Sequence, residues 1–134
     1  MFFNRQEAGQ KLASKIKEAT DERKAVVLGI PRGGVIVASE IASRLKLPVG
    51  ILVAKKLAAP QEPEFAIGAV ASSPESLFLN RELVSSLRIS KGYLDQEIKL
   101  RTAEVRRRLR QYLPEGIADL SGKEAIIVDD GVAT

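Results

Sequence analysis

Apolar residues along this chain recur in two different rhythms, and the switch between them marks out the elements. Ala8, Leu12 and Ile16 fall on one face at four-residue spacing, which predicts an amphipathic helix over residues 5–18. Asn4 is placed to cap it, and Glu7 three residues later completes the pattern of a capping box. "AVVLGI" (25–30) is instead an unbroken apolar, β-branched run, the pattern of a strand buried on both faces. "PRGG" interrupts it, and from Gly34 a helical period resumes at Val35, Ala38, Ala42 and Leu45, up to Pro48.

"VGILVA" (49–54) reads as a second buried strand running into a loop, "KKLAAPQEPEF" (55–65), with two prolines and two acids besides its lysines. "AIGAVA" (66–71) and "SLFL" (76–79) predict two shorter strands joined as a hairpin across "SSPE". "NRELVSSL" (80–87) offers an Asn cap and one or two helical turns. A long helix follows from Gly92 to Leu113, with Leu94, Ile98, Val105, Leu109 and Leu113 on one stripe, and "PEG" ends it. "EAIIVD" (124–129) is the last strand. Strand and helix in alternation predict an α/β fold, a mainly parallel sheet flanked by helices, in a single domain spanning 1–134. In such sheets ligands bind at the carboxyl ends of the strands, so the chemistry should follow strands.

Composition narrows that chemistry. The chain has neither histidine nor cysteine, which excludes the usual nucleophile–base pairs, thiolate zinc sites and disulfides. Carboxylates, lysine, arginine, backbone amides or an oxygen-ligated metal remain. No apolar run approaches the ~20 residues of a membrane span, and no apolar signal region stands at the N-terminus, so a cytoplasmic protein without membrane partners is expected. The net charge of +4 resides in "RTAEVRRRLR" (101–110), with five arginines and one glutamate; elsewhere the charges balance. No aromatics interleave with these arginines, so a stacking platform for nucleic acid is not expected, and a solvated helix face is the plainer reading.

Three strand ends carry the candidates. In "GIPRGGV" (29–35), Gly33 and Gly34 allow amides to approach an anion, the following helix adds its positive end, and Arg32 adds a charged fork. The same glycines would equally serve a tight strand-to-helix turn. After 49–54 come Lys55 and Lys56, either over the crevice or as a solvated pair opening the loop. After the last strand, "DDGVAT" puts Asp129 and Asp130 before Gly131, Val132, Ala133 and Thr134. Carboxylates there suit sugar hydroxyls or magnesium, and the small residues suit an anion cradle, although an ordinary turn has the same letters.

With these ends read, the chain resembles the type I phosphoribosyltransferases, whose signature is an apolar strand, two acids and a small-residue loop, here "IIVDDGVAT". "AGQKLA", "VVLGIPRGGV" and "PEFAIGAV" extend the likeness to a subgroup of unassigned substrate, over nearly the whole chain. The resemblance implies that Asp129 and Asp130 bind the ribose hydroxyls of phosphoribosyl pyrophosphate and that Gly131 to Thr134 open the 5′-phosphate cradle. Arg32, Gly33 and Gly34 would form a pyrophosphate loop, often with a strained or cis peptide. Lys56, or as second choice Lys55, would contact the pyrophosphate, so that Asp129, Asp130 and Lys56 are the catalytic candidates. The loop around 58–64 would close over the sugar. Mg²⁺ is the implied cofactor, carried by the substrate near Asp129 or Asp130 with no direct protein ligand assigned. The implied reaction transfers a phosphoribosyl group to an unidentified nitrogenous base with release of pyrophosphate. The alternative is a non-catalytic sensor of phosphoribosyl pyrophosphate or a nucleotide on the same fold.

The family's pattern continues past the position of Thr134, so the expectation is an N-terminal part of the domain that ends inside the 5′-phosphate loop. Strand 124–129 would then lie mid-sheet without its covering helix, exposing apolar surface and favouring a homo-oligomer.

Overall fold

The computed structural model describes residues 1–21, 23–72, 76–115 and 119–132. The chain forms two compact units, one from residues 1–52 with 118–134 and one from residues 53–117.

The first unit begins with α1 (Arg5–Ala19). The Asn4 side chain accepts from the Glu7 amide at 2.8 Å, while the Glu7 carboxylate reaches one residue further back than a capping box requires, to the Phe3 N–H. The strands β1 (Ala25–Gly29), β2 (Val49–Ile51) and β6 (Glu124–Val128) pair in parallel in the order β2-β1-β6. Every residue of β1 is buried, as its unbroken apolar run predicts. Between β1 and β2 runs α2 (Gly33–Leu45), closed by Lys46 in the left-handed conformation. Its Val37, Ala38, Ile41 and Ala42 form the core with Val27 and Val128. Burying a side chain the size of Ile41 stabilises by about 1.5–3 kcal/mol. α1 lies across α2 at Gly9, where an added Cβ would meet the Glu40 Cβ at 2.6 Å, so only glycine allows this approach.

β6 occupies one edge of the described sheet, and β1 holds the centre because it alone pairs on both sides. Ile127 on β6 stays 60% exposed, an apolar position left uncovered.

The second unit holds β3 (Ala54–Ala58), β4 (Ala66–Ala71) and β5 (Leu77–Leu79), antiparallel in the order β3-β4-β5. The hairpin expected from 66–79 is β4 with β5; residues 73–75 of its connection lie outside the described residues. Then come α3 (Arg81–Ser86), capped by Asn80, and α4 (Lys91–Tyr112), capped by Ser90. α4 packs against β3 and β4.

The apolar run 49–54 proves to be two elements. β2 stops at Ile51, the Leu52 N–H closes onto the Gly29 carbonyl at 3.0 Å, and β3 starts at Ala54 with antiparallel partners. Hydrophobicity is continuous across the break; only the direction and identity of the hydrogen-bonding neighbour change. Lys55 and Lys56 therefore stand inside β3, not at the end of a parallel strand or in a loop. No helix among the described residues is long and apolar enough to cross a membrane.

Candidate functional site

In the first unit the ends of β1 and β6 run side by side, tied by the Ile30 N–H to the Val128 carbonyl at 2.9 Å. Each then opens into one of the glycine-bearing loops. The Pro31–Arg32 peptide is cis. Arg32 precedes α2 with an exposed side chain and makes no capping hydrogen bond, so no side chain of its own satisfies the first-turn amides.

The two glycines are explained by what lies against them. A Cβ on Gly34 would meet the Val128 carbonyl at 2.7 Å and the Asp129 Cα at 2.9 Å. A Cβ on Gly33 would overlap the Asp130 carboxylate and come 2.8 Å from the Arg5 Nε. Their role is close approach between two loops as much as turn geometry. Gly131 meets nothing within 4 Å, and Val132 is fully solvated. Ala133 and Thr134 lie outside the described residues.

Asp129 turns its Oδ1 to the Asp130 N–H at 2.8 Å. Asp130 Oδ2 accepts from Arg5 Nε at 2.9 Å and from Arg5 Nη2 at 2.6 Å. The guanidinium holds the Asp130 carboxyl below the usual carboxylate range. Arg5, Asp129 and Asp130 line a cavity of about 340 Å³ together with Asn4 and the apolar Phe2, Ala8, Leu12 and Val37. Arg5 escapes a reading of the sequence because it sits 125 positions from its partner and opens a helix as any polar residue would.

The lysines belong to the second unit. Lys55 Nζ stands 3.8 Å from the Glu104 carboxylate on α4, which commits it to the helix-facing side of β3. Lys56 points the other way, half-exposed, and pairs with Glu64 at 3.0 Å. Glu64 thereby acquires a contact that its place in a polar loop did not disclose.

A second acidic group lies between α4 and β3. Glu97 is buried, accepting from the Ala58 N–H at 3.1 Å and from Arg101 Nε at 2.8 Å. Arg101 also bonds both oxygens of Glu104, at 3.0 and 3.2 Å, and these pairings raise its pKa further. The Tyr93 hydroxyl donates to the Ala58 carbonyl at 2.7 Å, and burial pushes its pKa up. The register of β3 on β4 slips between Leu57 and Ala58, so α4 supplies partners to a bulged backbone. Among the described residues no group of three or more acidic side chains could hold a metal ion by itself.

With this geometry described, comparison with known proteins adds an independent line. The family model described as "Phosphoribosyl transferase domain" matches residues 4–134. Two Mycobacterium tuberculosis proteins, named "Putative phosphoribosyl transferase MT0597" (strain CDC 1551 / Oshkosh) and "Putative phosphoribosyl transferase Rv0571c" (strain H37Rv), are each 39% identical over 140 residues. The match covers 100% of this chain and 30% of each relative, so the chain spans less than a third of their length. The crystal structure of TT1426 from Thermus thermophilus superposes with a TM-score of 0.78 at 37% identity, covering 99% of this chain and 62% of that one. Its α/β architecture and its sequence agree: the chain belongs to the phosphoribosyltransferase family.

Proposed function

We propose that residues 1–134 are the N-terminal part of a phosphoribosyltransferase domain that binds Mg²⁺-phosphoribosyl pyrophosphate and transfers its phosphoribosyl group to a nitrogenous base with release of pyrophosphate. The observation that carries this reading is the contact of the two strand-end loops, Gly33 against Asp130 and Gly34 against Val128 and Asp129. A sugar bearing pyrophosphate at one carbon and hydroxyls at the next two needs amide donors and carboxylate acceptors within one small space.

In this reading Asp129 and Asp130 accept hydrogen bonds from the ribose 2′- and 3′-hydroxyls. Arg32 and the amides of Gly33 and Gly34 hold the pyrophosphate, and residues Gly131 to Thr134 open the cradle for the 5′-phosphate. Lys56 draws on the leaving group, and Lys55, already engaged by Glu104, is the lesser candidate. As the C1–O bond to pyrophosphate breaks, positive charge grows on the ribose and negative charge on the leaving group. The base nitrogen then forms the new bond to C1. Fixed amides and cations around the leaving group supply stabilisation without histidine or cysteine. The oxygen donors of Asp129 and Asp130 suit Mg²⁺, which fits a metal brought by the substrate's phosphates. Such a metal would neutralise charge on the pyrophosphate. The reading includes cytoplasmic activity and self-association through exposed apolar positions such as Ile127.

Thermal unfolding with Mg²⁺, with and without phosphoribosyl pyrophosphate, tests it. Ligand at ~100 times its Kd adds roughly 2.7 kcal/mol. For a domain of this size the melting temperature then rises by about 8 °C. The rise should vanish in Asp129→Asn with Asp130→Asn; no rise in the unsubstituted chain overturns the reading. A non-catalytic sensor is favoured by one observation, the exposure of Arg106, Arg107 and Arg108 on α4. Turnover of labelled phosphoribosyl pyrophosphate with a panel of bases would exclude it.

A further inference from the structure

We propose that Arg5 is a substrate-contacting residue that takes an oxygen of the pyrophosphate group while it holds Asp130 in place. The inference rests on the phosphoribosyl pyrophosphate reading above.

Arg5 spends two donors, Nε and Nη2, on a single oxygen of Asp130. Among the described residues Nη1 makes no hydrogen bond, and the side chain is 54% exposed, so the fork retains donors that face solvent. The guanidinium lies over Gly33, where a Cβ would stand 2.8 Å from Nε. It therefore borders the same glycine loop to which the pyrophosphate is assigned, and it lines the cavity together with Asp129 and Asp130. Its base is rigid, since Arg5 is the first residue of a capped helix that packs tightly onto α2 at Gly9.

Charge makes the same demand. Two adjacent carboxylates repel a polyanionic substrate, and Arg5 cancels one of them at the point where the sugar must bind. A planar guanidinium can serve a carboxylate on one edge and a phosphate oxygen on another, which a lysine cannot do with equal geometry. Asp130 keeps its Oδ1 for a sugar hydroxyl.

Calorimetric titration with two probes, inorganic pyrophosphate and phosphoribosyl pyrophosphate, both with Mg²⁺, tests the role. Arg5→Ala should weaken both by about tenfold or more, the scale of a lost charge-assisted hydrogen bond. Arg5→Lys should recover part of the loss. Asp130→Asn should weaken the sugar-bearing probe while sparing pyrophosphate. Melting of Arg5→Ala without ligand should stay near that of the unsubstituted chain, because an exposed pair contributes little. If Arg5→Ala leaves pyrophosphate binding unchanged, or if the chain binds the sugar probe but ignores pyrophosphate, the anion contact is refuted and the phosphoribosyl reading survives. If the unsubstituted chain binds neither probe, both fall together.

Discussion

The two acidic groups of this chain face opposite tasks. Glu97 and Glu104 sit under β3 with Arg101 between them, and the carboxylate of Glu97 is enclosed and engaged by an arginine and a backbone amide. Asp129 and Asp130 stand at a strand end beside a cavity, with one guanidinium on one oxygen and acceptors to spare. A buried acid held by an arginine and a backbone amide stabilises a backbone irregularity. A partly exposed acid beside a cavity is available for hydroxyl groups of a ligand. Glu97 and Asp130 each take two hydrogen bonds on one oxygen, so burial, more than the count of partners, separates structure from chemistry here.

The sharpest way to break that contrast is to remove the enclosed acid. Glu97→Ala leaves Arg101 without its buried counter-ion and the Ala58 N–H without an acceptor. Arg101 keeps Glu104, so the main cost is the unsatisfied amide, about 1–3 kcal/mol, to which the lost bond from Arg101 adds; urea or thermal unfolding measures it. Asp129→Asn should leave unfolding nearly unchanged and abolish the response to phosphoribosyl pyrophosphate. Equal loss of stability in both variants would erase the distinction.

The glycines give the next largest effect. Gly34→Ala drives a Cβ into the Val128 carbonyl and the Asp129 Cα, which are backbone and cannot step aside cheaply. Overpacking of that kind costs about 1–3 kcal/mol, measurable by the same unfolding curves. Gly33→Ala meets the end of the Asp130 side chain, which can rotate away. It should cost less stability and more ligand affinity, because rotating Asp130 breaks its alignment with Arg5.

These contrasts also show how much was legible in the sequence. The apolar runs of β1 and β6, the period of α2 and the two strand-end loops that bring Gly33 and Gly34 against Asp129 and Asp130 could be read directly, since each depends on near neighbours in the chain. The break between β2 and β3 could not, because "VGILVA" is equally apolar on both sides of it. Glu97 is not legible because the apolar stripe of α4 runs through leucine, isoleucine and valine, and a charged residue buried by a partner four positions away carries no hydrophobic mark. Arg5 and Asp130 meet only through the fold.

Acid sharpens the comparison further. Asp130 has its pKa lowered, first by the hydrogen bond from Arg5. A depressed carboxyl contributes stability that is fully present above its unfolded value, about 3.9, and is lost as pH falls through the lower folded value. The difference in melting temperature between the unsubstituted chain and Asp130→Asn should thus stay constant from pH 8 to about 5 and shrink below about 4. In Arg5→Ala the same comparison should lose most of its pH dependence. A difference that varies across neutral pH would mean that another group governs this site.

The smallest effect is expected on α4's outer face. Arg106, Arg107 and Arg108 are exposed, unlike Arg101 of the same basic run, which is clasped by Glu97 and Glu104. Replacing all three with alanine should change stability by only about 0.5 kcal/mol per site or less, as exposed positions away from special features do. Affinity for Mg²⁺-phosphoribosyl pyrophosphate should be retained. Arg101→Ala, nearer the start of the same helix, should instead approach the cost of losing Glu97, since it removes the counter-ion of a buried carboxylate. Salt-dependent binding of RNA that disappears in the triple variant would give these arginines a task of their own and favour the sensor over the transferase. Without it, they do no more than keep the face of a long helix in water.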